Sequence, residues 1–122
     1  MGALPTRVAR AIDRFVERAG AAPGGGIERI LLFGSYARGD FRGDSDVDLL
    51  AVVDRREPAL LDWLYGAVLE VQLAERVDLS LKVMPRRAIE QMDAAQDPFA
   101  RNLAREGRLL WTRSSAQASA SA

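Results

Sequence analysis

The sequence of 122 residues contains no cysteine and no histidine. The absence of cysteine excludes disulfide frameworks, zinc–thiolate sites and thiol nucleophiles, and we therefore expect a cytoplasmic protein. The absence of histidine excludes a Ser-His-Asp triad, a histidine general base and histidine metal ligands. Any metal ion must be bound by oxygen atoms, which favours magnesium, manganese or calcium.

Long apolar runs and a net charge are missing as well. No apolar run has the length of a membrane span, so we expect no membrane association. Basic and acidic residues balance at 17 each, which gives no reason to expect direct nucleic-acid binding. The hydrophobic fraction of 48% is sufficient for a core, and the chain length predicts one domain.

The spacing of apolar residues predicts the α/β (α+β) class, a β-sheet with helices packed on it. We predict one domain over residues 1–113 and a disordered tail over 114–122, because "SSAQASASA" has nothing to bury. The predicted elements are a helix over 4–20, strands over 27–33 and 47–53, a helix from Pro58, a strand over 77–83, helices over 86–94 and 97–107, and a strand over 108–111. The strand 47–53 is apolar on both faces and is predicted to lie centrally.

Two aspartates stand at the start of this central strand. Asp46 and Asp48 are two residues apart, so their side chains lie on one face of the strand and repel each other. A divalent metal would compensate this repulsion, whereas a strand edge in solvent is the structural alternative. Asp78 lies on the polar face of another strand and would complete a three-carboxylate site if the strands are neighbours. Taken alone, Asp78 is more typical of a plain surface residue.

A second set of residues could bind phosphate. Gly34 and Ser35 follow a strand and open a short helical turn, where a glycine lets the backbone approach a ligand and free N–H groups bind phosphate oxygens. Arg38 and Lys82, the only lysine, are predicted phosphate contacts. Two further acidic residues of the intervening segment are interpreted as turn residues, Asp40 and Asp44.

The stretch "GSYARGDFRGDSDVDLL" resembles the signature of the polymerase-beta-type nucleotidyltransferase superfamily, and in particular its minimal nucleotidyltransferase (MNT) group. The resemblance implies a mixed β-sheet with flanking helices, the polymerase-beta-like nucleotidyltransferase fold. It implies that Gly34 and Ser35 bind the nucleotide triphosphate, and that Asp46 and Asp48 bind Mg²⁺ or Mn²⁺. It also implies that Asp78 is a third carboxylate that binds metal and helps to activate the acceptor. The reaction would be attack of a hydroxyl group on the α-phosphate of a nucleotide.

The resemblance also implies a partner, since the chain is too short to carry a second, acceptor-binding domain. Proteins of the MNT group pair with a HEPN-type toxin, and the MNT protein is the antitoxin that transfers AMP from ATP to a tyrosine hydroxyl of the HEPN ribonuclease. Two alternatives stay open: an orphan nucleotidyltransferase that acts on a small molecule with a partner subunit, and a non-catalytic antitoxin that acts by binding alone. Three aromatic residues could belong to a partner surface, although core packing is favoured: Trp63, Tyr65 and Trp111.

Overall fold

The computed structural model describes residues 3–114, which form helices packed on both faces of a mixed β-sheet. The elements are α1 (Thr6–Gly20), β1 (Ile27–Phe33), α2 (Gly34–Arg38), β2 (Val47–Val53), α3 (Pro58–Glu75), β3 (Leu79–Pro85), α4 (Arg86–Ala94), α5 (Pro98–Glu106) and β4 (Arg108–Thr112). The predicted fold class is confirmed. None of these helices is long and apolar enough to cross a membrane. The predicted tail lies outside the described residues, apart from Ser114.

The four strands formed by the described residues follow the order β3-β2-β1-β4. β1 runs antiparallel to both β2 and β4, whereas β2 and β3 are parallel. The predicted central position of β2 is confirmed, since all its residues except Asp48 are buried. A strand this apolar needs cover on both faces, and the sheet provides it.

Helices α1 and α3 cover one face of the sheet and bury the larger core, which includes Phe15, Leu32 and Leu49. Helices α4 and α5 cover the opposite face around a smaller cluster that includes Leu50. Side chains alternate along a strand, so Asp48 lies on the same face as Leu50. The carboxylate of Asp48 therefore opens towards α5, at the end of the sheet where β2 begins.

The third strand begins and ends two residues later than the prediction of 77–83. Pairing with β2 starts at Leu79, although the carbonyl of Asp78 already accepts a hydrogen bond of 2.9 Å from Val47 N–H. The strand continues to Pro85, beyond the alternating stretch on which its predicted end was based. β3 is an edge strand of the sheet, and an edge position tolerates proline.

Candidate active site

The turn from β1 into α2 lies directly against the carboxylate of Asp48. Phe33, the last residue of β1, is the cross-strand partner of Asp48. Gly34 follows with φ of 74°, a left-handed conformation that side-chain-bearing residues rarely adopt. A Cβ atom at Gly34 would overlap the carboxylate oxygen Oδ2 of Asp48. Both the conformation and this contact therefore require glycine, and together they fix the start of α2 on the carboxylate.

The charges around Asp48 favour a cation at this position. The pKa of Asp48 is raised, first because partial burial disfavours the charged form and second because Asp46 adds a like charge. Lys82 and Arg38 are close enough to lower the pKa of the same group, but they do not cancel the increase. Two adjacent carboxylates, one exposed and one half-buried, offer the oxygen ligands that Mg²⁺ or Mn²⁺ prefers. The donor set thus fits such an ion, which would relieve the repulsion.

Asp78 lies just before β3, in register with Asp46 at the same end of the sheet, and its side chain is exposed. Within residues 3–114, no group of three or more acidic side chains converges closely enough to bind a metal. The structure therefore brings Asp46 and Asp48 together and leaves Asp78 apart from them. The role of Asp78 as a third carboxylate stays a prediction.

The predicted phosphate contacts surround the same corner. Among the described residues no side chain caps the N-terminus of α2, so its first N–H groups have no side-chain capping partner. Ser35 is half-buried in this first turn. Arg38 lies one turn further on the same side as Gly34, where its guanidinium contacts Asp40 at 3.1 Å and Glu106 at 3.7 Å. Lys82 is exposed on β3.

A cavity of about 230 Å³, which we call the Phe33 cavity, opens beside Gly34 between β1, α2 and α5. The rings of Phe33 and Phe99 meet edge to face in its wall, with their centroids 5.4 Å apart. Asn102 and Glu106 add polar groups to the lining. Sequence reasoning missed these α5 residues because no motif marks them and only the fold brings α5 to the end of β1.

A second cavity, of about 350 Å³, lies on the other side of α2 and includes Asp78 in its lining. We call it the Asp78 cavity. Tyr36 of α2 and Phe41 of the following loop form one wall, with their rings stacked at a centroid distance of 4.4 Å. Asp44, interpreted from sequence as a turn residue, also lines this cavity, whereas Asp40 pairs with Arg38. Residues of short helix α2 line both cavities, Gly34 and Arg38 the Phe33 cavity and Tyr36 the Asp78 cavity.

The three aromatic residues singled out in the sequence have different environments. Trp111 packs against the larger core, so the prediction of core packing is confirmed for it. Trp63 is partly buried and donates a hydrogen bond of 2.7 Å to the carbonyl of Arg18. Tyr65 is 45% exposed, so the prediction of core packing is wrong for this residue. It faces solvent because the apolar stripe of α3 that meets the sheet is occupied by other residues, such as Leu64 and Val68.

Comparison with known proteins identifies a family model, related proteins and solved structures. The family model described as "Nucleotidyltransferase domain" matches residues 10–110. "Putative protein adenylyltransferase MJ0604" of Methanocaldococcus jannaschii is 33% identical over 106 residues, which cover 84% of this chain and 96% of that protein. "Protein adenylyltransferase MntA" of Thermococcus cleftensis is 48% identical over 59 residues, which cover 47% of this chain and 58% of that protein.

Solved structures show the same fold at low sequence identity. A toxin–antitoxin crystal structure with AMP-PNP matches with a TM-score of 0.52 and 17% identity, over 80% of this chain and 71% of that one. A mutant MntA–HpeT toxin–antitoxin structure matches with a TM-score of 0.50 and 17% identity, over 82% and 72% of the two chains. The family model covers most of the sequence and includes both Gly34 and the aspartate pair. The chain therefore belongs to the nucleotidyltransferase domain family.

Proposed function

We propose that this protein is a Mg²⁺-dependent protein adenylyltransferase that transfers AMP from ATP to a tyrosine hydroxyl of a HEPN-type ribonuclease toxin, and so acts as its cytoplasmic antitoxin. The observation that supports the proposal is the contact between Gly34 and Asp48, because a turn that we propose binds phosphate then adjoins a carboxylate that we propose binds the metal. Relatives named protein adenylyltransferase support AMP as the group transferred. A solved toxin–antitoxin relative with AMP-PNP supports ATP as the donor.

The donor side uses residues that surround the start of α2. The N–H groups of Gly34 and Ser35, with the Ser35 hydroxyl, would bind phosphate oxygens, and Arg38 and Lys82 would add positive charge. Asp46 and Asp48 would hold Mg²⁺, which when bound neutralises charge on the phosphates and on the leaving group. The Phe33 cavity is smaller than a typical site for a complete ligand, so it fits one ring system of the donor.

The acceptor oxygen attacks the α-phosphorus and forms a new P–O bond. The bond from the α-phosphorus to the oxygen that bridges to the β-phosphorus breaks, and pyrophosphate leaves with the bonding electrons. The hydroxyl proton passes to the carboxylate of Asp78. Most of the rate enhancement in such a reaction comes from positioning and charge stabilisation, which a fixed turn and a pair of carboxylates can provide.

An exposed apolar stripe on α3 supports a protein as the acceptor. Tyr65, Leu69 and Leu73 follow one another at intervals of four residues and are 45%, 57% and 74% exposed. Residues at this spacing share one face of a helix, and contiguous exposed apolar surface is typical of protein interfaces. The solved MntA–HpeT relative carries a tyrosine-to-alanine substitution, which supports tyrosine as the modified residue.

The test uses the purified protein, ATP labelled on the α-phosphate, Mg²⁺ and a HEPN-type toxin from the same genome. We expect label on the toxin and loss of its ribonuclease activity. Both should disappear when EDTA removes the metal or when Asp48→Asn removes a metal ligand. Asp13→Asn is the control, because it makes the same chemical change at an exposed aspartate that lies on α1, away from this corner.

Three outcomes separate the candidate functions. Label on the toxin that depends on Asp48 supports the proposal. Neutralisation that survives the double substitution Asp46→Asn and Asp48→Asn would show an antitoxin that acts by binding alone. Label that appears only on a small molecule would show an orphan nucleotidyltransferase.

A further inference from the structure

The Asp78 cavity collects three arginines from separate parts of the chain. Arg7 comes from α1, Arg42 from the loop between α2 and β2, and Arg76 from the end of α3. None of the three takes part in an ion pair within residues 3–114, whereas Arg38 on the other side of α2 contacts two carboxylates. The lining also contains Asp44 and Asp78, so three arginines face two aspartates and the formal net charge of the lining is +1, whereas the chain as a whole is neutral.

The backbone of Arg76 gives a second, independent observation. Its φ is 54°, in the left-handed region, where glycine is the residue that usually ends a helix. The helix dipole favours a cation near this end of α3. A basic residue in the last turn could supply that cation without backbone strain, but the last turn contains no basic residue. The left-handed conformation instead occurs at Arg76, whose side chain lines the cavity. Strained residues concentrate at functional sites.

The cavity also adjoins the chemistry. Asp78, to which the proposed function assigns the proton of the acceptor hydroxyl, is in its lining. Ser45, the neighbour of Asp46 in the chain, lines it too. Its volume of about 350 Å³ lies within the range of ligand-binding sites. The Phe33 cavity lies on the donor side of α2, which leaves the Asp78 cavity as the approach for the acceptor.

We propose that the Asp78 cavity is the acceptor subsite, and that Arg7, Arg42 and Arg76 bind acidic side chains that flank the acceptor tyrosine. The proposal rests on the proposed function, because Asp78 marks the acceptor side only if a hydroxyl is adenylylated. Unpaired guanidinium groups bind carboxylates in a bidentate manner, which gives both affinity and orientation. Asp44 in the same lining reduces the positive charge and would moderate this preference.

The test compares two synthetic peptides as acceptors, one with a tyrosine flanked by glutamates and one with a tyrosine flanked by serines and glycines. The variant combines Arg7→Gln, Arg42→Gln and Arg76→Gly. The control combines Arg56→Gln and Arg87→Gln, two exposed arginines that do not line the cavity and make no ion pair in the described part of the chain. The measurements are KM for each peptide, KM for ATP, and their dependence on salt.

We expect the wild type to prefer the acidic peptide, and the triple variant to raise KM for that peptide by about tenfold while KM for ATP stays unchanged. Asp44→Asn should lower KM for the acidic peptide. Added salt should weaken the preference in the wild type and have little effect on the triple variant. Equal use of both peptides by the wild type, or an unchanged KM in the triple variant, would overturn the proposal and leave the proposed function intact.

Failure of the proposed function would look different, because the wild type would then transfer no AMP to the toxin or to either peptide. In that case the fluorescently labelled acidic peptide is used as a binding probe, with anisotropy as the measurement. Binding by the wild type that is lost in the triple variant supports charge selection by the cavity. The absence of wild-type binding, or equal binding by both proteins, overturns it.

Discussion

The two cavities on either side of α2 are built in different ways. On the side of the Phe33 cavity, the backbone of Gly34 packs against the half-buried carboxylate of Asp48, and two aromatic rings meet at a fixed angle. On the side of the Asp78 cavity, exposed arginines from three elements surround an exposed aspartate. The first side is held by close packing, whereas the second combines one packed wall, the stacked rings of Tyr36 and Phe41, with long, solvated arginine side chains. We therefore expect almost every substitution on the proposed donor side to reduce activity, whereas the proposed acceptor side should tolerate single substitutions.

This division has a chemical reason. A triphosphate and its metal must be placed to within a fraction of an ångström, because a displacement of about 1 Å can cost 10²-fold in rate. A flexible acidic segment is held by several weak charge contacts, and the loss of one leaves the others in place. Substitutions on the two sides should therefore differ in size and in the kinetic parameter that they change.

The largest effect is expected at Asp48. Asp48→Asn removes a metal ligand, and the loss of several kcal/mol of charge stabilisation predicts a fall in AMP transfer of about 10³-fold. The same substitution should raise the thermal stability of the metal-free protein. The folded-state pKa of Asp48 is raised, so its negative charge costs folding free energy at every pH above that pKa, and asparagine removes this cost.

Thermal unfolding with and without Mg²⁺ and AMP-PNP checks both parts of this prediction. The ligands should raise the Tm of the wild type by mass action and should leave the variant unchanged. A variant that is less stable than the metal-free wild type would show that Asp48 contributes to packing more than to charge repulsion.

The next largest effect is expected at Gly34. Gly34→Ala places a methyl group against the Asp48 carboxylate and forces an L-residue into a left-handed conformation, so α2 must move away from β2. We expect AMP transfer to fall by about 10²-fold, with kcat affected more than KM for the acceptor. Gly66→Ala on α3 is the control, because a Cβ at Gly66 meets nothing within 4 Å and Gly66 lines neither cavity beside α2. Equal kinetics for the two variants would contradict a close-packed donor side.

The geometry of the proposed donor side could largely be predicted from the sequence, because its signals are local. Gly34, Ser35 and the aspartate pair lie within one short stretch, and the apolar strands on either side of it determine which face the aspartates share. The predicted bounds of β1 and β2, 27–33 and 47–53, agree with the structure for this reason. A continuous aliphatic run leaves little choice of register, since a shift by one residue would bury Asp48.

The acceptor side could not be predicted in the same way. Arg7, Arg42 and Arg76 are distant in sequence and come together only because α1 and α3 pack on the same face of the sheet. No periodicity distinguishes them from the other exposed arginines. The same holds for Phe99 and Asn102, which reach the donor side only through the packing of α5. Long-range packing, and not local pattern, decided these positions.

A smaller effect on stability is expected at Arg76. Arg76→Gly and Arg76→Gln both remove the cation from the end of α3, but only glycine relieves the left-handed backbone. The glycine variant should therefore be about 1 kcal/mol more stable than the glutamine variant, as measured by urea unfolding. Both should weaken use of an acidic acceptor to the same extent. Equal stabilities would show that the backbone of Arg76 is not strained. The tolerance of the acceptor side to substitution would then depend on its side chains alone.

The smallest effect is expected at the ion pair of Arg113 and Asp54, which lies outside both cavities. This pair measures how much an ordinary surface contact contributes to the free energy of unfolding. Arg113 donates hydrogen bonds of 2.7 and 3.2 Å to the carboxylate of Asp54, and this contact lowers the pKa of Asp54 below its usual value of 3.8. A carboxyl group whose folded-state pKa is lowered stabilises the fold above its unfolded-state pKa and loses this contribution as the pH falls through the folded-state pKa. Both side chains are substantially exposed, so the contribution at pH 7 should be below about 1 kcal/mol.

A double-mutant cycle with Asp54→Asn and Arg113→Gln isolates this contribution from the other carboxylates that titrate in acid. The coupling free energy, measured by urea unfolding, should be constant from neutral pH down to about pH 5, decrease as the pH falls below 3.8 and vanish in stronger acid. AMP transfer at neutral pH should be the same in all four proteins, because neither residue lines a cavity beside α2. A change in KM for either substrate would show that residues outside the two cavities also affect binding on the donor or the acceptor side.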